Sequence, residues 1–207
     1  MKILTGLLVA LLLLGLVVGC QQTTTEVTYK EVSVGSMRID VPTEWQRPED
    51  IEELVEDIKS GMGPGMEQYL QADGYEAPGF FEDLALILMV MEMSKISESE
   101  GITWEGWAPA LEAEGMTKED FLPIIIAGFI SEGAEEVTQR RVLQHTIHGC
   151  DALEAQVTCK IEGEPWIFNL LLVFAENDLG VVMMLGEESA SEKYEDTWDD
   201  IRDSVKF

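Results

Sequence analysis

The nine residues "LEAQVTCKI", Leu153 to Ile161, alternate strictly: Leu153, Ala155, Val157, Cys159 and Ile161 are apolar, and Glu154, Gln156, Thr158 and Lys160 between them are polar. Side chains along a strand point alternately to opposite faces, so this spacing predicts a strand with one face on a core and one toward water. Upstream, Val137–Ile147 reads as a second strand. Downstream, Trp166–Phe174 is apolar on both parities, the pattern of a central strand covered on both faces. "AENDLG", Ala175–Gly180, supplies a hairpin turn before a last strand over Val181–Leu185. Four consecutive strands with short connections predict an antiparallel meander.

The flanks are helical on one side and mixed on the other. Tyr194, Trp198, Ile201 and Val205 are stepped by four, three and four, which makes them the inner face of a closing helix. Ser189 and Glu192 are spaced as a capping box ahead of it. Near the other end, Glu26–Val34 and Met37–Val41 are β-rich runs separated by the turn Gly35-Ser36. "VPTEWQRPED" then leads into a helix on which Ile51, Leu54, Val55 and Ile58 share one face. Ser60–Gly79 holds five glycines and two prolines and reads as a flap, with one helical turn around Met66–Gln71. Its "GMGPG" lacks the Lys-Ser/Thr of a phosphate loop and follows a helix instead of a strand. Leu84–Ile96 is apolar on both parities as far as Glu92, so periodicity leaves helix and buried strand open. Trp104–Ala113 predicts a short helix ending near Gly115. "TKED" from Thr117 starts a turn, and a further helix runs over Pro123–Ser131 with the proline in its first turn. No repeat or second domain is visible, so residues 27–207 form one domain.

Three pieces in this order resemble the PsbP-like superfamily, which includes photosystem PsbP proteins, Mog-type Ran-binding proteins and DcrB-type lipoproteins. They are "MRIDVPTEW" at Met37–Trp45, the meander Val137–Gly186, and "YEDTWDDIRDSVKF" at Tyr194–Phe207 with its Ile201 and Ser204. The resemblance implies an α+β chain, an α/β/α sandwich around an antiparallel sheet, and it assigns Leu84–Ile96 to a strand. The glycine-rich 60–79 segment and the helical stretch Trp104–Ser131 depart from it. It also implies a domain that chiefly binds other proteins; no cofactor is expected from the residues.

The run Ile3–Val18 follows Lys2 and is 16 residues long. As a helix it would span about 24 Å, short of a bilayer core of about 30 Å. It ends in Val17-Val18-Gly19-Cys20, which resembles the lipobox of bacterial lipoproteins. That resemblance implies a signal peptide over residues 1–19 that is removed, acylation of Cys20, and attachment to a membrane. "QQTTTE", Gln21–Glu26, is then a polar tether reaching about 20 Å. The expected location is extracytoplasmic, on the cytoplasmic membrane or on an outer membrane where one exists.

Forty acidic against 13 basic side chains give a net charge of −27. Such a surface repels nucleic acid and anionic lipid head groups, which excludes a nucleic-acid partner. Cys150 and Cys159 lie nine residues apart, about 30 Å along a strand, beyond disulfide reach. His145 and His148 point to opposite faces of an extended segment and make poor joint metal ligands. His148 with Cys150 and Asp151 makes a polar cluster at a strand end. Met89, Met91 and Met93 alternate as a core face would. Carboxylate pairs such as Asp199-Asp200 and Glu187-Glu188 are adjacent and so face apart. No catalytic residue and no metal site is legible. The expected function is a membrane-tethered, non-enzymatic interaction or accessory domain with a protein partner. The alternative is a small-molecule or cation-binding lipoprotein whose pocket lies under the 60–79 flap, lined by Met62, Met66, Tyr69 and Tyr75.

Overall fold

The computed structural model describes residues 27–61, 67–78, 84–131 and 134–207; Cys20 with its tether, and Met62 and Met66, lie outside the described residues. A two-stranded hairpin, β1 (Tyr29–Val34) and β2 (Met37–Pro42), is followed by helix α1 (Ile51–Gly61). Then come β3 (Leu70–Glu76), β4 (Leu84–Met91) and the helices α2 (Met93–Ser99), α3 (Trp107–Glu114) and α4 (Phe121–Ser131). The meander is β5 (Glu135–Ile147), β6 (Cys150–Ile161), β7 (Glu164–Phe174) and β8 (Leu179–Glu187). Two short helices, α5 (Glu188–Lys193) and α6 (Glu195–Ser204), close the chain.

Six strands form one antiparallel sheet in the order β3-β4-β8-β7-β6-β5. Strand parity sorts its side chains into two cores. On one face Leu84, Leu86, Leu88, Leu171, Val173, Val182 and Met184 are buried under the β1–β2 hairpin and α6. On the other, Leu153, Ala155, Val157, Leu170 and Leu172 pack against Trp107 of α3 and Leu122 of α4. The result is the expected sandwich, with the hairpin sharing the layer of the closing helix.

The two quoted end pieces are bonded directly to each other. Arg38 and Lys206 exchange backbone hydrogen bonds, both 2.8 Å. Ser204 Oγ accepts from the Asp40 amide at 2.9 Å and donates to the Ile201 carbonyl at 2.7 Å. Trp45 is fully buried and meets Tyr194 edge-on, with ring centroids 5.7 Å apart. Trp198, Ile201 and Val205 are buried as the helical spacing predicts, and Tyr194 packs beside them.

Four expectations need correction. The 60–79 segment is not all flap, because Leu70–Glu76 is the edge strand of the main sheet. Leu70, Gly74 and Tyr75 are buried there, and glycines had suggested a loop. Gly74 has a packing role: a Cβ at that position would stand 2.4 Å from Ile51 Cδ1, so the bare backbone lets α1 settle on β3. The strand in Leu84–Ile96 stops at Met91, and Met93 begins a helix, so the three methionines are not one strand face. Ser189 and Glu192 form no capping box; α5 starts at Glu188, behind Glu187. A capping box joins Thr117 and Asp120 instead, Asp120 Oδ2 accepting from the Thr117 amide at 2.6 Å. Finally, Glu154 does not face water. It is 7% exposed.

Candidate functional site

Polarity along β6 brings the site into being. Glu154 and Gln156 point to the face that α6 covers, past the end of the apolar core, and α6 lays Trp198 and Arg202 over them. These two residues are one helical turn apart and therefore share a face. Glu154 Oε1 accepts from Trp198 Nε1 at 3.0 Å. Its Oε2 meets His145 Nε2 at 2.7 Å and Arg202 Nη1 at 3.3 Å. His145 reaches it because its strand partner, Ala152, lies two residues before Glu154 on the same face of β6. A buried carboxylate demands such partners, since an unpaired one would be expensive to desolvate.

Arg202 is tied further to Asp199 at 2.7 Å and to Asp203 at 2.8 Å. The Arg202 hydrogen bond holds the Asp203 carboxyl below its ordinary range, and Asp203 in turn raises the guanidinium. Beside this cluster Gln156 Nε2 donates to Asn169 Oδ1 at 3.0 Å.

These groups line one wall of an open cleft of about 530 Å³. Arg140 and Arg141 of β5 line it too, although neighbours on a strand normally face apart. The register explains this. Gln139 pairs with Val157 and Arg141 with Gln156, so Arg140 is an extra residue, a β-bulge that re-aims the chain. Ser191, Glu192 and Glu195 complete the lining from α5 and α6.

Ser191 lines the cleft with Glu154 and His145, but its buried Oγ has no hydrogen-bond partner, so it is not paired with a base as a nucleophile would be. Among the described residues no three His, Cys, Asp or Glu side chains are grouped to hold a metal ion. A second cleft of about 470 Å³ lies between α3 and β5–β6, where Lys118 is already paired with Asp151 and Gln144 with Glu119.

Of the residues weighed for chemistry from sequence, His145 and Asp199 line this cleft, and the others described lie elsewhere. Tyr75 is buried in the core, its hydroxyl 3.1 Å from Asp73 Oδ2, and Tyr69 ends a short turn ahead of β3. Neither lines this cleft. His148 occupies the two-residue turn His148-Gly149 with φ of 47° and 89°, a conformation that turn requires. Cys150 and Cys159 are free, as their spacing indicated, and burial raises both thiols. The Glu154 cluster escaped the sequence reading because a glutamate in an alternating strand is ordinarily solvated. The one available signal was Trp198 and Arg202 at helical spacing, an aromatic and a cation on the same face as the core residues.

No family model matches the chain, and no curated protein does. Among solved structures it is similar to the cyanobacterial PsbP, CyanoP, of Synechocystis sp. PCC 6803. That likeness has a TM-score of 0.55 and 10% identity, and it covers 89% of this chain and 95% of that one. LpqN, involved in cell envelope biogenesis of Mycobacterium tuberculosis, is similar at a TM-score of 0.44 and 14% identity over 88% of this chain and 91% of that one. The immunity protein TplEi of Pseudomonas aeruginosa has a TM-score of 0.43 and 8% identity over 88% of this chain and 98% of that one. The CyanoP likeness establishes that the chain has a PsbP-like α+β fold.

Proposed function

We propose that the protein is an extracytoplasmic accessory domain, anchored through acylated Cys20, that acts by binding another protein and not by catalysis. The observation that carries the binding reading is helix α4. Its sequence FLPIIIAGFIS contains no charged residue, yet among its described side chains only Leu122 is buried, and Ile124 stands 60% exposed. A helix apolar all round belongs in an interior or an interface, and an exposed isoleucine at its outer face supports the interface. Ile102, in the loop before α3, is exposed to the same extent. Among the described residues no helix is long and apolar enough to cross a membrane.

A photo-crosslinker placed at Ile124, in the protein on its native membranes, is expected to give one discrete protein adduct. The same probe at exposed Glu112 on α3 serves as the control. Equal or absent protein adducts at the two positions would refute the binding surface. Cys20→Ala should move the protein from the detergent phase to the aqueous phase, and unchanged partitioning would refute the anchor.

A further inference from the structure

We propose that the cleft between the β5 bulge and the α5–α6 helices binds a small polar molecule carrying one anionic group, a carboxylate or a phosphate, held by Arg140 and Arg141. The chain has only five arginines among its 207 residues, and three of them line this cleft. Four carboxylates, Glu154, Glu192, Glu195 and Asp199, line the same cleft, so what matters is which of the three guanidinium groups those carboxylates leave uncommitted. Arg202 is committed to Glu154, Asp199 and Asp203. Arg140 makes one loose contact, 3.6 Å from Glu188. Arg141 has no partner among the described residues. The bulge therefore lines one cleft with two arginines that have donors to spare, and guanidinium is the side chain that suits a carboxylate or phosphate.

Ser191 supplies the second, independent observation. The residue lines the cleft and is 4% exposed, and its buried hydroxyl has no hydrogen-bond partner. A buried polar group without a partner is destabilising and rare, and this one lies in the wall of the cleft. The remaining lining sets the rest of the ligand. Glu192 and Glu195 face the same space and repel a second negative charge, so the far end of the molecule carries hydroxyl or amino donors. The volume, about 530 Å³, is in the range of small-molecule sites.

The test is isothermal titration calorimetry on the full chain in detergent at fixed ionic strength. The probes are glucuronate, glucose 6-phosphate, glucose as the neutral control and citrate as the polyanion control. Saturable binding of glucuronate or glucose 6-phosphate is expected, with glucose silent and citrate at least tenfold weaker. The stronger of the two binders distinguishes a carboxylate from a phosphate ligand. Arg140→Gln/Arg141→Gln should weaken binding at least tenfold. Both side chains lie on the surface, so the variant is expected to keep its far-UV spectrum and melting temperature. Absence of saturable binding by either anion would overturn the proposal, as would binding that the double variant leaves unchanged. An equal response to glucose would show that the anionic group is not what the cleft reads.

Discussion

Replacing Trp198 by phenylalanine tests the buried Glu154 cluster at its most specific contact. Phenylalanine keeps an aromatic ring under α6 and removes the indole N–H that reaches Glu154 Oε1 at 3.0 Å. A hydrogen bond to a charged acceptor contributes about 1.5–3 kcal/mol. Glu154 retains His145 and Arg202, so the loss should fall near the middle of that range, about 2 kcal/mol, plus a smaller loss from the missing ring. For a chain of this size each kcal/mol lowers Tm by about 2–4 °C, so the hydrogen bond alone accounts for about 4–8 °C. The two contributions separate in a double-mutant cycle with Glu154→Met, which removes the acceptor while Arg202 keeps Asp199 and Asp203. Urea unfolding followed by far-UV circular dichroism is the suitable readout, because the substitution itself changes tryptophan emission. Trp198→Phe should cost about 2 kcal/mol more in the native background than in the Glu154→Met background. A coupling energy below about 0.5 kcal/mol would refute the reasoning that this carboxylate is held by the indole.

Three further outcomes follow from the packing and titration. Gly74→Ala sets a Cβ against Ile51 Cδ1 and should destabilise by about 1 kcal/mol; adding Ile51→Val, which deletes that methyl, should restore stability in denaturant melts. Ending the chain at Glu187 removes Trp198, Ile201 and Val205 from one face of the sheet, about 5–9 kcal/mol of buried surface at about 1.5–3 each. That is comparable to the whole stability of a domain, so calorimetry should find no cooperative melt. At alkaline pH, burial and then the Asp73 charge push the Tyr75 phenol from 10.0 up to about 12. The folded state therefore keeps a proton that the unfolded chain releases, so this contribution is intact below pH 10 and is lost as pH rises through about 12. Tyr75→Phe should flatten the fall of Tm across that window, and an unchanged slope would remove Tyr75 as its source.

What the sequence alone determined is the part written in local periodicity. The meander is legible because one wet or dry face per strand forces alternation, and because Trp166–Phe174 is apolar on both parities, as a central strand must be. The closing helix is legible for the same reason at a period of 3.6, in Trp198, Ile201 and Val205. The edge strand Leu70–Glu76 was not, since Gly74 reads as a turn until α1 is seen resting on it. Only the tertiary structure decided the cleft. Glu154 and Lys160 look alike along β6, yet one is buried beneath a helix 44 residues away and the other is in water. Arg140 and Arg141 share a face only because β5 gained a residue against β6, and pairing register is a property of two strands and not of either one. Local spacing specifies which side of an element is apolar. Which polar groups that element then brings together depends on the sheet order and on the helix laid across it.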